Sequence, residues 1–157
     1  YAHISAKEEL LLEIVDAAAD AFLAVADGLD PALAPRERLR AMVGGHLAVI
    51  AEKLQSATVF FDEWKHLSGP ARARVVEKRD RYQAALRAIV EEGAATGAFL
   101  LADAHLATLL VLSTLNWTYR WYDPAGRLSL GELTDGICAY IEGALGAERP
   151  QAEGAGR

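Results

Sequence analysis

The sequence predicts an all-α fold, a bundle of about six helices. Apolar residues recur three or four positions apart along most of the 157-residue chain, the repeat of one helix face. Alanine, leucine, glutamate and arginine dominate, and alternating β-branched runs are nearly absent. Two Ser-x-x-Glu capping boxes and a series of Gly and Pro breakers punctuate the periodic segments.

The first helix opens at Ser5, spaced from Glu8 so that each side chain satisfies the other end's free backbone N–H. It runs to about Ala26 and stops at Asp27-Gly28. Pro35 suits the first turn of a second helix, which reaches about Lys53. Gly44-Gly45 inside it permits close packing or a kink. A short third helix covers about Ala57 to Leu67. Ser68-Gly69-Pro70 breaks the chain before a long fourth helix, which ends near Thr96 with Gly97 at its C′ position. Asp103 caps a fifth helix reaching about Tyr122, and Asp123-Pro124-Ala125-Gly126 is a turn. Ser129 and Glu132 open a sixth helix, with Leu128 and Leu133 at hydrophobic-staple spacing, and it ends near Gly146. Residues 147–157 are expected to be a disordered tail.

With 52% hydrophobic residues the chain can bury a core without a metal or a disulfide. A net charge of −6 argues against gripping nucleic acid by bulk electrostatics. Cys138 is the single cysteine, which suits a reducing compartment, and a cytoplasmic location is expected. The most apolar stretch, Ala104 to Trp117, is broken by His105 and Asn116. It falls short of the roughly 20 residues a membrane span needs, so no membrane association is expected.

The fifth helix is apolar almost all round, with Leu106, Leu110 and Trp117 on one side and Val111 and Leu115 on another. The sixth carries a stripe of Leu133, Ile137, Tyr140, Ile141 and Ala144, with Gly136 and Gly143 allowing close approach. Together Leu110, Val111, Leu133, Ile137, Tyr140, Ile141 and Ala144 are expected to form a homodimer face. The alternative is that both helices fill the core of a single chain.

Polar groups on apolar stripes mark a candidate ligand site. Arg79 interrupts the stripe Val75, Tyr82, Leu86, Ile89 and Gly93 on the fourth helix, and a buried arginine needs an anionic or carbonyl partner. Asn116 and Arg120, four apart, share a face with Ser113 among Trp117, Tyr119, Trp121 and Tyr122. Phe60, Phe61 and Trp64 supply an opposite wall. An aromatic wall with a few hydrogen-bonding groups is the composition of a small-molecule pocket. The competing readings are that Arg79 pairs with Asp62, Glu63 or another core-edge carboxylate and that the aromatics are core. The wider run Arg72, Arg74, Lys78, Arg79 and Arg81, interleaved with Glu77 and Asp80, reads as a solvated face.

Reactive chemistry is absent from the motifs. Glu63 and His66 have the E-x-x-H spacing of di-iron bundles, but the second half is missing because Val43 precedes His46 and Ala102 precedes His105. There is no Gly-rich phosphate loop and no G-x-S-x-G. No metal, cofactor, catalytic residue or enzymatic activity is expected.

Two segments carry a resemblance. Tyr1-Ala2-His3-Ile4-Ser5-Ala6-Lys7-Glu8-Glu9-Leu10-Leu11 resembles the end of the helix-turn-helix domain of TetR/AcrR-family repressors and the start of the linking helix, with Ala2 in place of a usual aromatic or histidine and Ala6 separating Ser5 from Lys7. Further along, the order Phe61-x-x-Trp64-x-x-Leu67-Ser68, Arg79-Asp80-x-Tyr82, Gly93-x-x-x-Gly97-x-Phe99, Asn116 to Tyr122 and Gly126-Arg127-Leu128-Ser129 is similar to the FadR-like and KstR-like group of that family, several of which sense coenzyme A thioesters. The resemblance implies a TetR-type C-terminal effector-binding and dimerisation domain over residues 5–146. Residues 1–4 would be a remnant of the DNA-binding domain, and operator contact would be made by helices absent from this chain. The function implied is that of a repressor relieved by a small apolar ligand, an acyl- or steroid-derived CoA thioester. Phe60, Trp64, Tyr82, Trp117 and Trp121 would hold its apolar part, and Arg79, Asn116 and Arg120 its carbonyl or anionic end. The alternative is a helical dimerisation module without a ligand.

Overall fold

The computed structural model describes residues 5–147. The expected helix-turn-helix remnant at residues 1–4, and all of the tail except Ala147, lie outside them. The architecture is all-α, as expected. Six helices run in the order α1 (Ala6–Asp27), α2 (Pro35–Glu52), α3 (Leu54–Glu63), α4 (Gly69–Thr96), α5 (Ala104–Trp117) and α6 (Leu130–Ala144). Short 3-10 turns, Trp64–His66 and Thr118–Arg120, extend α3 and α5. No helix among the described residues is long and apolar enough to cross a membrane.

The local signals act where the sequence puts them. Both capping boxes form: the Glu8 and Glu132 amides donate to Ser5 and Ser129 Oγ at 3.3 and 3.2 Å, and the two serine amides donate back to the glutamate carboxylates. Asp103 accepts from the Leu106 amide at 3.0 Å and starts α5. Gly97 closes α4 in the left-handed region, φ 78°, where a side chain would be strained.

The central helix is α2, which packs against all five other helices. Leu39, Met42, Val43, His46, Leu47 and Ile50 are each 1% exposed or less. Gly45 is the reason α1 can lie so close: a Cβ there would overlap the Val25 side chain. Gly93 plays the same part on α4, where a Cβ would overlap the buried Phe99 ring.

The homodimer face is corrected in part. Val111, Leu133, Ile137 and Ile141 are buried within the single chain, because α5 turns Val111 and Leu115 inward and α6 lays its stripe on α2. The apolar residues left outside are Leu106, Leu109, Leu110 and Trp117 on α5 and Tyr140 on α6. Ala144 is exposed as well. Gly136 and Gly143 also face outward, with open space where a side chain would be.

Ion pairs tie the helices together at their edges. Glu142 of α6, buried, accepts from Arg36 and Arg40 of α2. Asp16 of α1 pairs with Arg74 and Lys78 of α4, Lys78 also reaches Asp20, and Arg81 reaches Asp27. The basic run on α4, expected to be a solvated face, is thus partly a seam to α1.

Candidate functional site

A cavity of about 100 Å³ lies between five helices. Ala19 and Phe22 reach it from α1, His46 from α2, and Phe60 and Phe61 from α3. Lys78, Arg79, Asp80, Tyr82 and Gln83 come from α4, and Leu112 and Asn116 from α5. Phe22, His46, Phe60 and Tyr82 are buried; Lys78, Arg79, Gln83 and Asn116 are only half-buried. The site therefore combines a dry aromatic wall with a cationic, hydrogen-bonding side that communicates with solvent.

Phe22 organises the aromatic wall. Its ring centroid lies 4.7 Å from His46, 5.6 Å from Phe60 and 5.4 Å from Phe61. His46 Nδ1 and the Tyr82 hydroxyl are 2.8 Å apart. Burial holds the His46 imidazole neutral, lowering its pKa to about 3, while the Leu115 backbone acts the other way. Burial also pushes the Tyr82 phenol upward.

Arg79 lies in the wall without a carboxylate partner: among the described residues it forms no ion pair. Its guanidinium sits over the Trp64 ring, 3.8 Å from the centroid. Burial lowers its pKa, with Asp80 opposing. Asp62, one of the carboxylates expected to compete for it, accepts instead from the Tyr119 hydroxyl at 2.6 Å and pairs with Arg120 at 3.7 Å.

Of the eight sequence-predicted ligand residues, the cavity brings together Phe60, Arg79, Tyr82 and Asn116. Trp64 stands behind Arg79 as its stacking partner rather than in the lining. Trp117, Trp121 and Arg120 are the corrections: they are exposed, and none lines the cavity. The cause is the end of α5. Leu112 and Asn116 share the inward face, and Trp117 is a helical step round from it. After Trp117 the backbone tightens into a 3-10 turn, so Arg120 does not follow Asn116 at helical spacing. Ser113 turns outward and donates to the Leu109 carbonyl.

The sequence reading overlooked His46 as a lining residue and weighed it only as a metal ligand. The available signal was the one that singled out Arg79. His46 is a polar residue in the middle of an otherwise apolar stripe, Leu39, Met42, Val43, Leu47 and Ile50. Phe22 and Ala19 had no such signal, since nothing local distinguishes a cavity wall from a core position.

Comparison with known proteins agrees with the fold. Residues 32–145 match the family described as tetracyclin repressor-like, C-terminal domain. The transcriptional repressor KstR2 of Mycolicibacterium smegmatis is 28% identical over 148 residues, 92% of this chain and 72% of KstR2. Among solved structures, the TetR-family regulator PfmR of Thermus thermophilus superposes with a TM-score of 0.80 at 31% identity, over 96% of this chain and 81% of PfmR. The regulator AibR, solved in complex with isovaleryl coenzyme A and operator DNA, has a TM-score of 0.75 at 25% identity, over 89% of this chain and 77% of AibR. A six-helix bundle with this connectivity, matched by that domain over most of its length, belongs to the TetR family of transcriptional regulators, as its tetracyclin-repressor-like C-terminal domain.

Proposed function

We propose that this chain is the effector-binding and dimerisation part of a cytoplasmic transcriptional repressor, released from its operator by a short acyl coenzyme A thioester. The observation that carries the ligand class is the cavity that pairs an aromatic wall with Arg79, a half-buried guanidinium that forms no ion pair among the described residues. A partly desolvated cation in the wall of an apolar space suits a ligand whose apolar end is followed by a carbonyl or anionic group. Size narrows the class. A cavity of about 100 Å³ is smaller than the roughly 150 Å³ that accepts benzene, so it would have to widen for any acyl group, and least for a short one. The isovaleryl coenzyme A held by the similar regulator AibR supports the same class.

The response follows from where α1 stands. Ala19 and Phe22 of α1 form part of the cavity wall, so a ligand that fills the cavity bears on the helix that begins at Ala6. A ligand with unequal affinity for two positions of α1 shifts their populations by that difference alone. Two copies of the chain would meet through Leu106, Leu109, Leu110 and Trp117 of α5 with Tyr140 and the outward glycines of α6. Four exposed large apolar side chains on the one helix α5, with Tyr140 exposed on α6, support this.

The test is titration of the chain with isovaleryl coenzyme A by calorimetry, with native mass spectrometry for stoichiometry. One ligand per subunit on a dimer is expected. Arg79→Ala should weaken binding about tenfold to a hundredfold, the worth of a hydrogen bond to a charged group, and leave the dimer intact. Arg79→Ala binding as tightly as wild type, or failing to fold, would remove Arg79 from the site. A dimer that takes up no acyl coenzyme A would favour the ligand-free dimerisation module.

A further inference from the structure

We propose that His46 reads the carbonyl oxygen of the ligand, donating a hydrogen bond from Nε2 at the buried end of the cavity. This assignment rests on the acyl-thioester reading above and deepens it.

His46 is 1% exposed and lines the cavity. Its Nε2 is the single buried side-chain polar atom without a hydrogen-bond partner among the described residues. The other nitrogen is taken by the Tyr82 hydroxyl at 2.8 Å. A neutral imidazole and a phenol carry two protons between them and share one hydrogen bond. If Tyr82 donates to Nδ1, the second proton sits on Nε2 as a free donor. If Nδ1 donates to Tyr82, the phenolic proton is free and Nε2 is a free acceptor as well. The first arrangement leaves fewer groups unsatisfied, and a buried unmade bond is costly. The pair therefore presents a donor that the Leu115 backbone influences without completing a hydrogen bond.

An acyl thioester supplies what is missing. Its alkyl end would lie against Phe22 and Phe60, and its carbonyl oxygen accepts without adding charge to a buried wall. A free carboxylate would be a poor substitute at this end, because the imidazole is neutral there and Arg79 is the cation in the lining suited to an anion. Recognition is thus divided: His46 for the acyl carbonyl, Arg79 for the polar remainder outside it. A site built to hydrogen-bond a ligand group discriminates against the analogue lacking that group far more strongly than an apolar wall does.

The experiment compares isovaleryl coenzyme A with S-isopentyl coenzyme A, the thioether in which a methylene replaces the carbonyl. Wild-type chain should prefer the thioester at least tenfold by calorimetry. The variant His46→Phe/Tyr82→Phe removes both partners of the buried bond together, so no phenol is stranded, and it should fold with an unfolding midpoint no lower than wild type. In it the preference should shrink to within threefold. His46→Gln, which keeps a donor, should recover part of the preference. A wild-type ratio near one, or a tenfold ratio that survives in the double variant, overturns the assignment and leaves the acyl-coenzyme A reading standing. If neither compound binds wild type while the chain is folded and dimeric, both readings fall.

Discussion

Glu142 gives the sharpest quantitative test of how the bundle is held. Its carboxylate is buried on α6 and accepts from two arginines of α2: Arg36 Nη2 at 2.8 Å, and Arg40 through Nε and through Nη2 at 3.0 Å. The Arg40 hydrogen bond is the largest influence, burial opposes it, and Arg36 adds to it. Together they lower the Glu142 pKa from 4.5 to about 2. A shift of that size corresponds to about 3 kcal/mol. The arginine side chains are 29% and 48% exposed, so solvent screening reduces the expected contribution to about 2 kcal/mol. The sign is that of a depressed carboxylate. The stabilisation is complete above the unfolded-state value near 4.5 and is lost as pH falls from there toward 2. Glu142→Gln should therefore cost about 2 kcal/mol at pH 7, and wild type and variant should converge near pH 2. Urea denaturation followed by tryptophan fluorescence, at one fixed protein concentration, measures the gap at each pH. The His46 titration is common to both proteins and cancels in the difference. A gap that is constant from pH 7 to pH 2.5, or absent at pH 7, refutes the reasoning.

Three other outcomes follow from the same packing. The neutral His46 should make folding less stable as pH falls from the unfolded value near 6.5 toward about 3, since only the unfolded chain binds that proton. Chemical denaturation at pH 7 and pH 5 should show this slope in wild type and a shallower one in His46→Phe/Tyr82→Phe. Gly93→Ala forces a methyl into the Phe99 ring. The overpacking should outweigh the roughly 1 kcal/mol that alanine gains as a helix former, for a net loss of about 2 kcal/mol read by thermal unfolding. Adding Phe99→Leu should recover part of it. Tyr140→Glu and Leu110→Glu place charges on the exposed apolar surface without touching the core, because those side chains are 68% and 60% exposed. Sedimentation should then find a monomer with unchanged helical circular dichroism; a wild-type chain that is already monomeric at tens of micromolar would dispose of the dimer face.

Part of the candidate site was legible in the residues. Arg79 and Asn116 stand out because polar groups on apolar stripes have few cheap solutions, and Phe60 and Tyr82 follow from the stripes themselves. His46 is legible on the same criterion, as a polar residue inside an otherwise apolar stripe. Trp117, Trp121 and Arg120 went astray because helical spacing was extended through Thr118, where the backbone changes to a 3-10 turn. That change accompanies long-range contacts: Thr118 is fully buried, Tyr122 is nearly so, and Tyr119 stacks on Phe61 while its hydroxyl donates to Asp62.

What the sequence determined by itself is local. Ser5 with Glu8, Ser129 with Glu132, Asp103, Pro35 and Gly97 each act within about one helical turn, so the six helices and most of their ends are written in neighbouring residues. Periodicity also states which residues share a face. It does not state what that face meets. The apolar α5 could have been the centre of the bundle or part of a surface between copies; in the fold α2 takes the centre, with Gly45 letting α1 close against it, and α5 is left with Leu106, Leu109, Leu110 and Trp117 outside. The cavity is likewise a tertiary product. Its walls come from five helices, and the lining runs from Ala19 to Asn116 along the chain. Hydrophobic burial is non-directional, so an amphipathic pattern specifies that a surface is covered, and only the packed arrangement of all the helices decides by what.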